Sequence, residues 1–160
     1  MRRIVFGAVA LMSAMLLAAT TFESQAADPP PDSVAAKLTR EKKLKAKISV
    51  DCENMMLKEI IPELQGALKD AKAGTIRIRP DPKAGITLTT RMSIKAKNET
   101  FEEVMDKLLT NSGRPWGYYV NVSSKKDDQD DGALIITNDA SCRGYPPGDP
   151  RNKKKDEPKK

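Results

Sequence analysis

The stretch NETFEEVMDKLLTNSGRPWGYYV, residues 98–120, gives one helix a start, a buried face and an end, and then turns into an aromatic strand. Thr100 and Glu103 fit the T-x-x-E capping box, in which a hydroxyl and a carboxylate satisfy backbone N–H groups that a helix start leaves unbonded. Phe101, Val104, Met105, Leu108 and Leu109 recur at helical spacing and form a single apolar stripe. Ser112 and Gly113 close the helix, because glycine takes the left-handed conformation that ends the last turn without steric cost. Trp116, Tyr118 and Val120 then alternate as a strand, and ALIITN from Ala133 is expected to pair with it. Glu99, Glu102, Glu103 and Asp106 crowd the first turns, where the helix dipole favours negative charge. They read as capping and a solvated face in preference to an acid pair or a metal site.

Working outward, KISVDC alternates Ile48, Val50 and Cys52 on one face and predicts a first strand. Asn54 is the expected N-cap of a helix with its stripe at Leu57, Ile60, Ile61, Leu64, Leu68 and Ala71; Pro62 falls on the solvent side and Gly74 ends it. TIRIR sets Ile76 and Ile78 inward, and after PDPKAG the residues Ile86, Leu88, Met92 and Ile94 alternate, which predicts a hairpin with one wet face. The resulting order is β-α-β-β-α-β-β, an α+β fold with two helices packed against small β-sheets over residues 47–142.

The flanks have a different character. Residues 1–26 combine two arginines, an apolar run and a close on small side chains, and read as a signal peptide cut near Ala26. The expected location is therefore outside the cytoplasm, periplasmic or extracellular. Residues 27–46 read as a Pro- and Lys-rich linker with a short helix presenting Val34 and Leu38 on one side. Residues 143–160 are rich in Pro, Gly and Lys and read as a disordered basic tail ending in Lys153, Lys154, Lys155, Lys159 and Lys160. The formal charge of +6 comes from these flanks, since residues 47–142 hold 14 basic and 15 acidic side chains. A nucleic-acid domain would carry its basic residues as a stripe on the fold, so no nucleic-acid partner is expected.

Candidate chemistry is sparse. With no histidine, the usual nucleophile–base pairs and imidazole metal sites are absent, and no cofactor or metal is expected. The loop KKDDQDDG resembles the start of a calcium loop at Asp127, Gln129, Asp131 and Gly132. However, the twelfth position is Asn138 and a strand follows, so a solvated hairpin loop is expected. Cys52 and Cys142 form an even pair in an oxidising compartment, and a disulfide between them is favoured over a buried Cys52 with a free Cys142. Arg77, Arg79, Arg91, Lys95 and Lys97 share strand parity and form a candidate basic face for an acidic partner, against the ordinary polar side of a sheet.

Three segments, KISVDCENMMLKEII, IRIRPDPKAGITLT and NETFEEVMDKLLTNSGRPWGYYV, together resemble the short N-terminal domain shared by secretins and TonB-dependent signalling receptors. The likeness covers about residues 47–138; Pro62 and a longer first helix depart from the pattern. It implies a module that serves a larger envelope machine by docking to a partner. Neither the secretin pore nor the receptor barrel is matched in these residues, so secretion and signalling do not carry over. The expected function is a non-enzymatic protein–protein docking module of the cell envelope with an unidentified envelope protein as partner. The alternative is a polyanion- or membrane-surface-associated protein acting through its lysine-rich tail.

Overall fold

The computed structural model describes residues 31–123, 125 and 128–152; the leader over residues 1–26, Asp127 and the lysines of residues 153–160 lie outside the described residues. In chain order the elements are α1 (Val34–Leu38), which runs on into a π-helical turn (Thr39–Lys43), β1 (Lys47–Met56), α2 (Leu57–Asp70), β2 (Ile78–Pro80), β3 (Arg91–Thr100), α3 (Phe101–Asn111), β4 (Gly117–Val120), β5 (Leu134–Thr137) and β6 (Arg143–Gly144). The fold is α+β, with α2 and α3 packed against two small sheets.

Alternating side chains build the first sheet. β1 and β3 pair antiparallel as a ribbon of two strands, burying Ile48, Cys52, Met92, Ile94 and Ala96 and leaving Ser49, Asp51, Ser93, Lys95 and Lys97 exposed. The second sheet has the order β2-β5-β4-β6, with β5 parallel to β2 and antiparallel to β4, and β6 parallel to β4. Its β5 is buried along its whole length, which explains the unbroken apolar run of Leu134, Ile135 and Ile136. Leu57, Ile60, Leu64 and Leu68 of α2 and Phe101, Val104, Met105, Leu108 and Leu109 of α3 fill the core. Burying each such side chain is worth roughly 1.5–3 kcal/mol.

The ribbon and its two helices are related by an approximate two-fold axis. Residues 47–60 have counterparts 44 positions later: Ser49 with Ser93, Asn54 with Asn98, Leu57 with Phe101, Glu59 with Glu103 and Ile60 with Val104. The pairing register obeys the same relation, since Val50↔Ala96 mirrors Cys52↔Ile94 and Ile48↔Glu99 mirrors Met55↔Met92. Each strand carries one bulge with an asparagine at positive φ, Asn54 at 51° and Asn98 at 56°. The Asn54 N–H donates to Ser93 Oγ at 2.9 Å, and the Asn98 N–H donates to Ser49 Oγ at 3.0 Å. The helix starts match as well. Leu57 and Lys58 donate to the carbonyls of Thr90 and Leu88, while Phe101 and Glu102 donate to those of Ala46 and Leu44. The loop before each strand thus caps the helix of the other half.

Several sequence expectations change here. TIRIR and the strand after it do not form a hairpin, because β2 joins β5 and β3 joins β1 in the other sheet. Residues 81–90 form a run of turns whose carbonyls serve α2, and Leu88 is 41% exposed. Asn54 is the bulge residue, and the α2 cap is Met56, whose N–H donates to Glu59 Oε2 at 2.8 Å. Ala71 is exposed, and Ala73 takes the buried place.

Both flanks also join the fold within the described residues. Val34 and Leu38 point outward, whereas Ala36, Thr39 and Arg40 are buried. Thr39 Oγ1 donates to the Gly132 carbonyl at 2.9 Å, and Ser33 Oγ donates to Asp131 Oδ1 at 2.6 Å. Residues 143–152, expected to be disordered, supply β6 and a turn held by Asn152, whose Nδ2 donates to the carbonyls of Tyr145 and Pro146. Arg40 ties the two flanks together. It donates to the carbonyls of Gly144 and Val120, pairs with Asp32 at 2.5 Å and lies 4.4 Å from the centre of the Tyr145 ring, which Arg151 also faces at 4.2 Å.

Candidate functional site: the sheet edges and their grooves

The candidate basic face does not assemble. Arg77 and Arg79 converge on Asp130, with nitrogen–oxygen distances of 3.3 and 2.7 Å. Arg91, Lys95 and Lys97 stand on β3 in the other sheet. Arg91 donates to the Asn54 carbonyl at 2.7 Å, and Lys95 pairs with Asp51 at 2.7 Å. That pair sits on the approximate two-fold axis, and its hydrogen bond raises the Lys95 pKa.

The acidic loop is an anchor for the two flanking pieces of chain. Asp130 neutralises the two arginines, while Asp131 accepts from Ser33 and from the Ser123 N–H at 3.1 Å. Among the described residues, no group of three or more Cys, Asp or Glu side chains could hold a metal ion.

Cys52 and Cys142 are free thiols, which corrects the expected disulfide. Cys52 faces the core from the ribbon and Cys142 lies beside β4 and β6, so they belong to different sheets. Burial pushes the Cys142 thiol up to about 11, with Asp139 adding to it. Cys52 is raised by burial first and then by the negative charges of Glu63 and Asp51.

The remaining candidates are strand edges, where unpaired N–H and C=O groups can accept another strand. In the larger sheet both edges are short. β2 has three residues and ends in Pro80, which has no N–H, and β6 has two. Gly117 makes the β6 side possible. A Cβ there would lie 2.1 Å from the Asp139 carbonyl oxygen and 2.8 Å from that of Cys142.

The ribbon is different, for among the described residues each of its strands is paired on one side only. Beside each outer edge runs the helix that follows the strand, leaving two grooves related by the approximate two-fold axis. One is lined by Ser93, Ile94, Lys95, Lys107 and Asn111 of β3 and α3 and, from across the ribbon, by residues 51–53 of β1. The other is lined by Ser49, Val50, Asp51, Glu63, Gly66 and Ala67, with Asp70 at its end. Lys107 in the first groove stands where Glu63 stands in the second, while Asp51, paired with Lys95, borders both.

They also differ in how the edge is protected. Asn111 Nδ2 donates to the Ser93 carbonyl at 3.3 Å, and Lys107 pairs with Glu99 at 2.6 Å, so side chains of α3 cover the β3 edge. The counterpart of Asn111 is Ala67, which has no donor for Ser49. Glu63 and Asp70 have no cation partner among the described residues. Of the groove residues, the sequence reading names only Lys95 and Cys52 as candidates, the one for the basic face and the other for a disulfide, and it singles out no strand edge. A comparison of residues 47–67 with residues 91–111 would have found them.

The comparisons with known proteins return no matching family model, no matching curated protein and no matching solved structure. Among the described residues, no helix is long and apolar enough to cross a membrane.

Proposed function

We propose that this chain is an exported, non-enzymatic docking module of the cell envelope that works by protein–protein contact through a sheet edge. One observation carries the reading: two strands of ten residues stand as a ribbon of two, and among the described residues no strand covers the outer edge of β1 where Ser49, Val50 and Asp51 line a groove beside α2. An added strand gains main-chain hydrogen bonds along such an edge, and side-chain pockets on alternate positions supply selectivity. The resemblance to the short N-terminal domain of secretins and TonB-dependent receptors supports a docking role, and the signal-like leader supports export.

The competing reading places binding in the lysine-rich end. Because residues 143–152 belong to the fold, the deletion that separates the two readings starts at Lys153. Crosslinking in envelope extract is the measurement. If a specific partner is retained by the chain lacking residues 153–160, the domain does the docking. If binding disappears with the deletion and was already abolished by salt, the tail reading replaces it.

A further inference from the structure

Resting on the docking reading, we infer that the β1 edge, seated against α2, is the docking surface and that its occupant is an extended basic segment of a partner protein, added as a third strand of the ribbon. The approximate two-fold axis supplies the comparison that singles out this edge. On β3 the Ser93 carbonyl is taken by Asn111 and the groove is rimmed by Lys107. On β1 the same positions are Ala67 and Glu63, so among the described residues α2 offers no donor to the Ser49 carbonyl.

Gly66 points the same way. It lies inside α2, where glycine costs about 1 kcal/mol relative to alanine. Among the described residues a Cβ at Gly66 would meet nothing within 4 Å, so none of their packing requires the glycine. A helix surface bare at positions 66 and 67 does let a second backbone approach β1 closely. β1 has no bulge of its own before Cys52, since the register shift between Ile48 and Val50 comes from the extra residue in β3. The segment from Ile48 to Cys52 is therefore a regular template.

Charge selects the occupant. Glu63 and Asp70 rim the groove without a cation partner among the described residues, while Asp51 beside them is paired with Lys95. A strand bearing Lys or Arg at alternate positions would complement this rim, and an acidic strand would be repelled.

The test uses the full chain and a library of capped seven-residue peptides with Lys or Arg alternating with Val, Ile, Thr or Tyr, beside the same library carrying Glu. Fluorescence anisotropy reads binding, and amide hydrogen exchange locates it. The expected result is at least tenfold tighter binding of basic members, with exchange slowed in Lys47–Met56 and unchanged in Arg91–Thr100. Transplanting the guarded groove, Gly66→Thr with Ala67→Asn, should weaken binding at least tenfold, as should Glu63→Lys with Asp70→Lys on the rim. Circular dichroism of both variants checks that the fold is retained.

The inference is overturned if no basic member binds, if acidic members bind equally, or if protection falls on Arg91–Thr100. Binding that emerges only after residues 153–160 are removed would make the chain's own end the occupant and would also overturn it. Protection of Lys47–Met56 that grows with protein concentration alone would assign the edge to a second copy, with the same consequence. A partner retained in extract but protecting another surface leaves the docking reading standing and removes only this edge.

Discussion

Gly117 and Cys142 show how single residues hold the C-terminal strand in place. A methyl at position 117 would collide with two carbonyl oxygens, so Gly117→Ala must push residues 139–142 away from β4. The expected loss is about 1–3 kcal/mol in a denaturant titration, the usual cost of overpacking. Cys142 and Cys52 are buried, so alkylation under native conditions at pH 8 should leave the intact mass unchanged, and alkylation in denaturant should add two adducts. Recovery of an unmodified mass in denaturant before reduction would instead indicate a disulfide. The pH dependence follows the same burial. The folded Cys142 thiol is raised from 9.0 to about 11, so its contribution to stability is complete below pH 9 and is lost as pH rises towards 11. Cys142→Ser should remove that part of the alkaline loss.

At the scale of elements, α3 was the most legible part of the chain because its signals are local. The Thr100–Glu103 box, the apolar stripe and the Ser112–Gly113 stop are written within residues 98–113, and the structure reproduces each. Thr100→Ala should cost about 1 kcal/mol of stability by thermal melting. The Thr100 hydroxyl and N–H hold the Glu103 carboxyl below its ordinary value of 4.5. That stabilisation is present above pH 4.5 and is lost as pH falls through the depressed folded value, so Glu103→Gln should flatten the acid limb of the stability profile.

The predicted hairpin failed for the opposite reason. Strand pairing is non-local, and the alternation of Ile86 and Leu88 with Met92 and Ile94 cannot say that residues 81–90 are turns. The internal repeat was hidden because few identities survive and the charges reverse, with Asp51 opposite Lys95, Glu53 matched by Lys97 and Glu63 by Lys107. The small sheets of the expected fold imply several strand edges, and the sequence singles out none of them. Choosing among them needed the register and the position of Asn111.

For the whole molecule, the boundary between fold and tail lies later than composition suggests. Pro, Gly and Lys content marks residues 143–160 as one segment, yet Arg40 and Tyr145 bind residues 143–152 to the first helical turns, and Arg143 pairs with Asp106 at 2.8 Å. Deleting residues 153–160 should leave the melting temperature unchanged. Deleting from Arg143 should lower it by several degrees, because Arg40 loses its Gly144 carbonyl and Leu44 and Cys142 lose their cover. The two-fold relation makes the central claim equally direct to test. A photoreactive benzoylphenylalanine at position 67 lies in the open β1 groove, and at position 111 it lies in the guarded twin. Irradiation of cells carrying each variant should give a crosslinked adduct to another polypeptide from position 67 and none from position 111. Equal adducts at both positions, or none at position 67, would contradict the account.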